Sequence, residues 1–298
     1  WNKQPFIRYL EKADIVVVNG EGTIHHDQPS AKNLVCVARF CKERKIPVVL
    51  INSIFEMNSD DIVKEVRYFD RIYVRESKSQ KELSLYGIQS IVVPDLSYYI
   101  KINERQVPRS GIGVTDCVLI DISRQLFKFA VEENDFDYLP ALKSPRIIKL
   151  FPIRHTLSCF KYNIKKNYNK CKNIVGQQLD YRDRQALYYY EKTKDYINKI
   201  NSCELIITGR FHSLCFAIKT KTPFIAISPN THKTVGMLND IGLGTERMLS
   251  IDQINSGQYK MFIGFSEDEE NKIDQYLRNA ENQIDNMFDD ISGLIIRN

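Results

Sequence analysis

Cys203-Glu204-Leu205-Ile206-Ile207-Thr208-Gly209-Arg210-Phe211-His212-Ser213-Leu214-Cys215-Phe216-Ala217-Ile218 is the stretch that decides how this chain is read. Leu205 to Ile207 is a short apolar run suited to a strand covered on both faces. Thr208 and Gly209 turn the chain, and a helix starts near Ser213 with Leu214, Phe216, Ala217 and Ile218 facing inward. Arg210 and His212 are therefore expected on the loop between the carboxyl end of a strand and the amino end of a helix. Open parallel sheets bind their ligands there. Free helix N–H groups and the helix dipole favour an anion. Arginine adds a planar fork for phosphate or carboxylate, and histidine exchanges a proton near neutral pH. An Arg-x-His pair also fits a solvated surface; its place between strand and helix favours a site.

The same pattern extends toward the amino terminus. Asp14 to Asn19 reads as a buried strand, followed by the loop Gly20-Glu21-Gly22-Thr23-Ile24-His25-His26-Asp27. The third glycine of a dinucleotide fingerprint is replaced by His25, so neither NAD nor FAD is expected. The two glycines allow a close approach to a ligand, and Glu21, His25 and His26 bring three titratable groups to one loop. Neighbouring histidines point apart and no third ligand is evident, so no metal site is expected. Helix Ala31–Arg44, strand Val48–Asn52, helix Asp60–Phe69, strand Ile72–Arg75, helix Lys78–Tyr86 and strand Ile91–Asp95 follow. Ser77 with Gln80 resembles a capping box, and Gly87 suits the helix stop.

The polar stretch from Ile102 to Gly113 suggests a boundary near residue 108. Beyond it the expected elements are strands Val118–Ile122 and Ile147–Phe151, an exposed loop from Tyr162 to Asn173, and a long helix Arg182–Asn201. Strand Thr222–Ser228, helix Thr234–Ile241 ending at Gly242, and a long amphipathic helix Glu267–Ile291 packing back complete the series. Arg154-His155 reads as structural. Strand–helix alternation predicts an α/β protein with two Rossmann-like, doubly wound domains, 1–108 and 109–298, facing a cleft as in the GT-B architecture.

Composition narrows the function. A net charge of +5 over 298 residues suits a pocket for a small acid, and no basic block with interleaved aromatics points to nucleic acid. Seven cysteines without Cys-x-x-Cys spacing argue against a disulfide framework or a zinc cluster and for a reducing, cytoplasmic setting. No apolar run has the length of a membrane helix. The start at Trp1 allows the chain to be part of something longer.

Several of these pieces together resemble the polysaccharide pyruvyl transferase family. They are Asp14 to Gly22, Val74-Arg75-Glu76-Ser77 with Leu83 and Gly87, Val93-Pro94-Asp95, and Ile207 to Ser213 with Pro223 and Lys233. The resemblance implies phosphoenolpyruvate as donor, no cofactor, and a glycan or lipid-linked sugar as acceptor, with peripheral contact to a membrane holding it. In that scheme His212 and Arg210 are catalytic, with Glu21 or His25 taking the hydroxyl proton. Arg75, Ser77, Gly209, Ser213, Asn230, His232 and Lys233 are expected around the donor. Asn19, Gly20, Gly22, Thr23 and His26 form the loop on the acceptor side. Two other readings stand beside it: a GT-B-like glycosyltransferase using a nucleotide-sugar, and a catalytically inert glycan- or partner-binding module.

Overall fold

The structure, a computed structural model, describes residues 4–102, 108–140, 161, 164–165, 167–172, 179–190, 192–227 and 231–296. It is an α/β protein with two parallel sheets of four and five strands. Packing divides the chain into one unit of Trp1–Ile100, Pro229–Glu246 and Glu267–Asn298 and another of Lys101–Ser228 and Arg247–Ser266. The first break falls near the expected residue 108, but residues 109–298 do not form one body. The segments 229–246 and 267–298 return to the first unit because their apolar faces are buried there. Tyr98 donates its hydroxyl to Met237 Sδ at 3.1 Å and meets the Tyr276 ring edge-on at 5.4 Å.

In the first unit α1 (Gln4–Leu10) precedes β1 (Val16–Glu21), α2 (Pro29–Glu43), β2 (Val48–Ser53), α3 (Asp60–Val66), β3 (Arg71–Val74), α4 (Ser77–Leu85) and β4 (Ile91–Val92). The sheet order is β1-β2-β3-β4, all parallel, with Val16 opposite Val48 and Leu50 opposite Ile72. Because every crossover steps the same way and crossovers are right-handed, α2, α3 and α4 belong on one face. The core agrees: Val16, Val18, Val48, Leu50, Ile72 and Val74 pack with Ala31, Val35, Ala38, Ile62 and Val66. This sheet is thus singly wound, not doubly wound as expected. Tyr73, alternating to the other face, is met by the C-terminal helix Glu267–Ile296, where its hydroxyl donates to Asp290.

The second unit contains β5 (Ile112–Cys117), α5 (Ile120–Phe127), β6 (Asp137–Leu139), α6 (Tyr181–Ala186), α7 (Thr193–Ser202), β7 (Leu205–Gly209), α8 (Phe211–Lys219), β8 (Phe224–Ile227) and β9 (Met248–Leu249). Its order is β6-β5-β7-β8-β9, all parallel. The strand order reverses between β5 and β7, which makes this sheet doubly wound, and sheets of this kind bind ligands at the carboxyl ends beside such a reversal.

Three expectations in this unit are corrected. The strand expected at Val118–Ile122 lies instead at β5, and Val118, Leu119 and Ile120 are 58%, 45% and 42% exposed. The long helix expected over Arg182–Asn201 is two helices, α6 and α7. Within the stretch expected to be a loop, residues 164, 165 and 167–172 are helical. The strand expected at Ile147–Phe151 and the Arg154-His155 pair lie outside the described residues. Among the described residues, no helix is long and apolar enough to cross a membrane.

Candidate functional site

Two polar constellations occupy the carboxyl ends of the strands, one in each unit. In the second, Arg210 is the residue preceding α8 and His212 lies in that helix's first turn, exposed, rather than on a free loop. Arg210 sits beside the reversal of strand order and is held by Asp116 of β5. Its Nε donates to Oδ1 at 2.8 Å and its Nη2 donates to Oδ2. The Asp116 side chain is 1% exposed and that of Arg210 24%. Burial alone would lower the Arg210 pKa, but the bond to Asp116 and its charge outweigh burial and raise it, so the guanidinium stays charged.

The backbone around this pair is tightly specified. A Cβ at Gly209 would lie 2.6 Å from Cys117 Cβ and 3.0 Å from Cys117 Cα, so only glycine lets β7 end against β5. Thr115 and Thr208 hydroxyls meet at 2.8 Å, and the Arg210 N–H donates to Thr208 Oγ1 at 3.0 Å. Ser213 is buried, its hydroxyl 2.7 Å from that of Tyr196.

In the first unit, side chains from all four strand ends take part. Asn52 donates to Asn19 at 3.1 Å, and Asn19 donates to Glu21 at 3.3 Å. This amide chain orients the Glu21 carboxylate. Glu21 and Asn52 both hold positive φ, 50° and 52°, a strained geometry for residues with a Cβ. Gly20 serves the sheet, since a Cβ there would lie 2.7 Å from Ser53 Cβ. Gly22 lies beneath two cations: a Cβ would start 3.0 Å from Lys233 Nζ and 3.4 Å from Arg75 Nη2. Arg75 also donates to Asp95 at 2.6 Å, with both side chains essentially buried.

The turn after Gly22 is closed by backbone bonds: the Thr23 N–H donates to Gly20, the His25 N–H to Thr23, and the His26 N–H to Glu56. Nδ1 of His25 lies 3.1 Å from Nδ1 of His26. Burial, with the charges of His26 and Lys233, lowers the His25 pKa and keeps the ring neutral at pH 7. His232 is bracketed by carboxylates, Nε2 lying 3.3 Å from Glu76 and Nδ1 3.4 Å from Glu56. Burial alone would lower its pKa; the bond to Glu76 and the charges of Glu76, Glu56 and Glu82 more than reverse this and raise it. The Glu76 carboxylate also accepts from the N–H groups of Lys78 and Ser79. Glu76, not Ser77 with Gln80, therefore caps α4. The Ser77 N–H donates to Asp240 at 2.8 Å.

The structure thus gathers Asn19, Glu21, Gly22, Arg75, His25 and His232–Lys233 in the first unit, and Gly209, Arg210, His212 and Ser213 in the second. His232 and Lys233 belong with the amino-terminal loop, not with the Arg-x-His element as the expected domain division implied. Asn230 lies outside the described residues. Sequence reading missed Asp116, Glu56 and the capping role of Glu76. Only Glu76 left a signal, as an acid directly before the first turn of a helix.

No curated protein sequence matches the chain. A crystal structure of an uncharacterized protein from Klebsiella pneumoniae subsp. pneumoniae NTUH-K2044 is similar at a TM-score of 0.43 and 10% identity, covering 80% of this chain and 78% of that one. The sequence model of polysaccharide pyruvyl transferases matches residues 1–231. That match spans the strand-end loops of β1, β3 and β7, so the chain belongs to the polysaccharide pyruvyl transferase family and is an enzyme, a transferase.

Proposed function

We propose that the protein transfers a pyruvyl group from phosphoenolpyruvate to two hydroxyls of one sugar as a ketal, in a surface polysaccharide or its lipid-linked precursor. The observation that carries this reading is the charged, oriented Arg210 next to exposed His212 where the strand order of the second sheet reverses. Arg210 meets an anionic group of the donor. His212 gives a proton to the methylene carbon, and the adjacent carbon becomes electrophilic. A sugar hydroxyl adds to that carbon and loses its proton, the bond to phosphate oxygen breaks, and a second hydroxyl closes the ketal with loss of its own proton. His25, kept neutral by burial, and Glu21, oriented by Asn19, are the candidate bases. Lys233, whose Nζ lies beside Gly22, offers a second cation for an anion, while Arg75 is enclosed with Asp95.

The test is a thermal-shift panel of phosphoenolpyruvate against nucleotides and nucleotide-sugars, followed by assay of the released product. A ligand that binds only the folded protein raises the transition temperature. Stabilisation by phosphoenolpyruvate with release of inorganic phosphate supports the reading. Stabilisation by a nucleotide-sugar alone, with release of a nucleotide, replaces it with glycosyl transfer.

A further inference from the structure

We propose that Asp116 is a positioning residue for pyruvyl transfer: its buried carboxylate fixes the Arg210 guanidinium in one orientation without touching the donor. The inference rests on the reading that Arg210 meets an anionic group of phosphoenolpyruvate.

Four observations support it. The contact is a fork, with Nε and Nη2 engaging the two carboxylate oxygens, which sets the plane of the guanidinium as a single hydrogen bond would not. The two ends are unequally exposed, so the aspartate faces the interior and the arginine reaches the surface. Both backbones are locked, by Gly209 against Cys117 and by the Thr115–Thr208–Arg210 bonds, so the pair is not a mobile surface bridge. And the two residues sit on either side of the strand reversal, where a ligand of this sheet is expected.

The pair sets charge against geometry. Asp116 cancels part of the attraction Arg210 exerts on an anion while fixing where its remaining donors lie. A residue that only stabilises the fold lowers affinity and turnover together; Asp116 should not. Asp116→Asn removes the charge and one of the two acceptors while preserving shape. Phosphoenolpyruvate affinity is expected to hold or tighten, while kcat falls by about 10- to 100-fold through loss of orientation.

The experiment compares Asp116→Asn, Arg210→Gln and the double variant in full-length protein. It measures phosphoenolpyruvate Kd by titration, kcat by phosphate release, and thermal stability. Arg210→Gln with unchanged Kd and kcat sinks the reading of the site itself. Arg210→Gln impaired, with Asp116→Asn within twofold of the parent in kcat, or losing affinity and kcat equally, overturns the positioning role alone. If Asp116→Asn does not fold, the double variant, with neither charge left buried, is compared with Arg210→Gln. Equal residual turnover supports action through Arg210; a further loss in the double variant overturns it.

Discussion

Each unit closes a strand end with an arginine and answers it with an aspartate from a neighbouring strand end, yet the two pairs differ in exposure. Arg75 and Asp95 are 1% and 2% exposed, whereas Arg210 is 24% exposed above an aspartate at 1%. A fully enclosed pair holds a fold in register, and removing one partner strands a charge in the interior. A half-open pair keeps its orientation and leaves donors for a ligand. The same two residue types thus form an enclosed brace in one unit and, in the other, the half-open pair to which the proposed function assigns an anion.

Substitutions sharpen that contrast. His212→Ala, at an exposed position beside the half-open pair, should cut turnover by about 10²- to 10⁴-fold with the melting temperature unchanged. Phosphate release and a thermal scan check it, and a variant that still turns over removes that imidazole from the chemistry. Arg75→Ala should act on stability, costing about 3–5 kcal/mol by taking the buried counter-ion from Asp95. A urea titration in which this variant unfolds at the parent's midpoint would break the distinction between the pairs. Gly236→Ala should cost about 1–3 kcal/mol, because a methyl there runs into the Glu76 carboxylate that caps α4. The same titration reads it.

The smallest effect is one of pH. The folded-state pKa of His232 lies above its ordinary value, so its stabilisation is complete below about pH 6.5 and is lost as pH rises through the raised value. His232→Gln should therefore unfold earlier in urea than the parent near pH 6, and the gap should close toward pH 8. A gap that stays constant with pH would mean the histidine acts through packing, not charge.

Much of the fold was legible where burial and apolarity coincide. Strands β1, β2, β3, β7 and β8 are runs of Val, Ile, Leu and Phe close to their expected places. Strand β5 was missed because Thr115 and Asp116 are polar yet buried. What allows their burial is Thr208 and Arg210, 93 and 94 residues further along, which no local window contains. Val118 to Ile120, apolar but exposed, drew the strand assignment past the end of β5. The site divides the same way. Arg210 and His212 announce themselves through strand, turn and helix, but the acids that orient Arg210 and His232 come from distant strand ends and carry no sequence mark of their pairing. The winding of the first sheet was illegible too, since alternation fixes the kind of element and not the side on which the next strand is laid.

The three-part make-up of the first unit has a consequence for how the protein is made. A ribosome delivers residues 1–100 well before the helices Lys233–Ile241 and Glu267–Ile296. Until then Tyr73 and Tyr98 lack the partners Asp290, Met237 and Tyr276, and the nascent sheet keeps one bare side. An expression fragment cut at residue 231, where the family match stops, would carry that bare side permanently and should be recovered as aggregate.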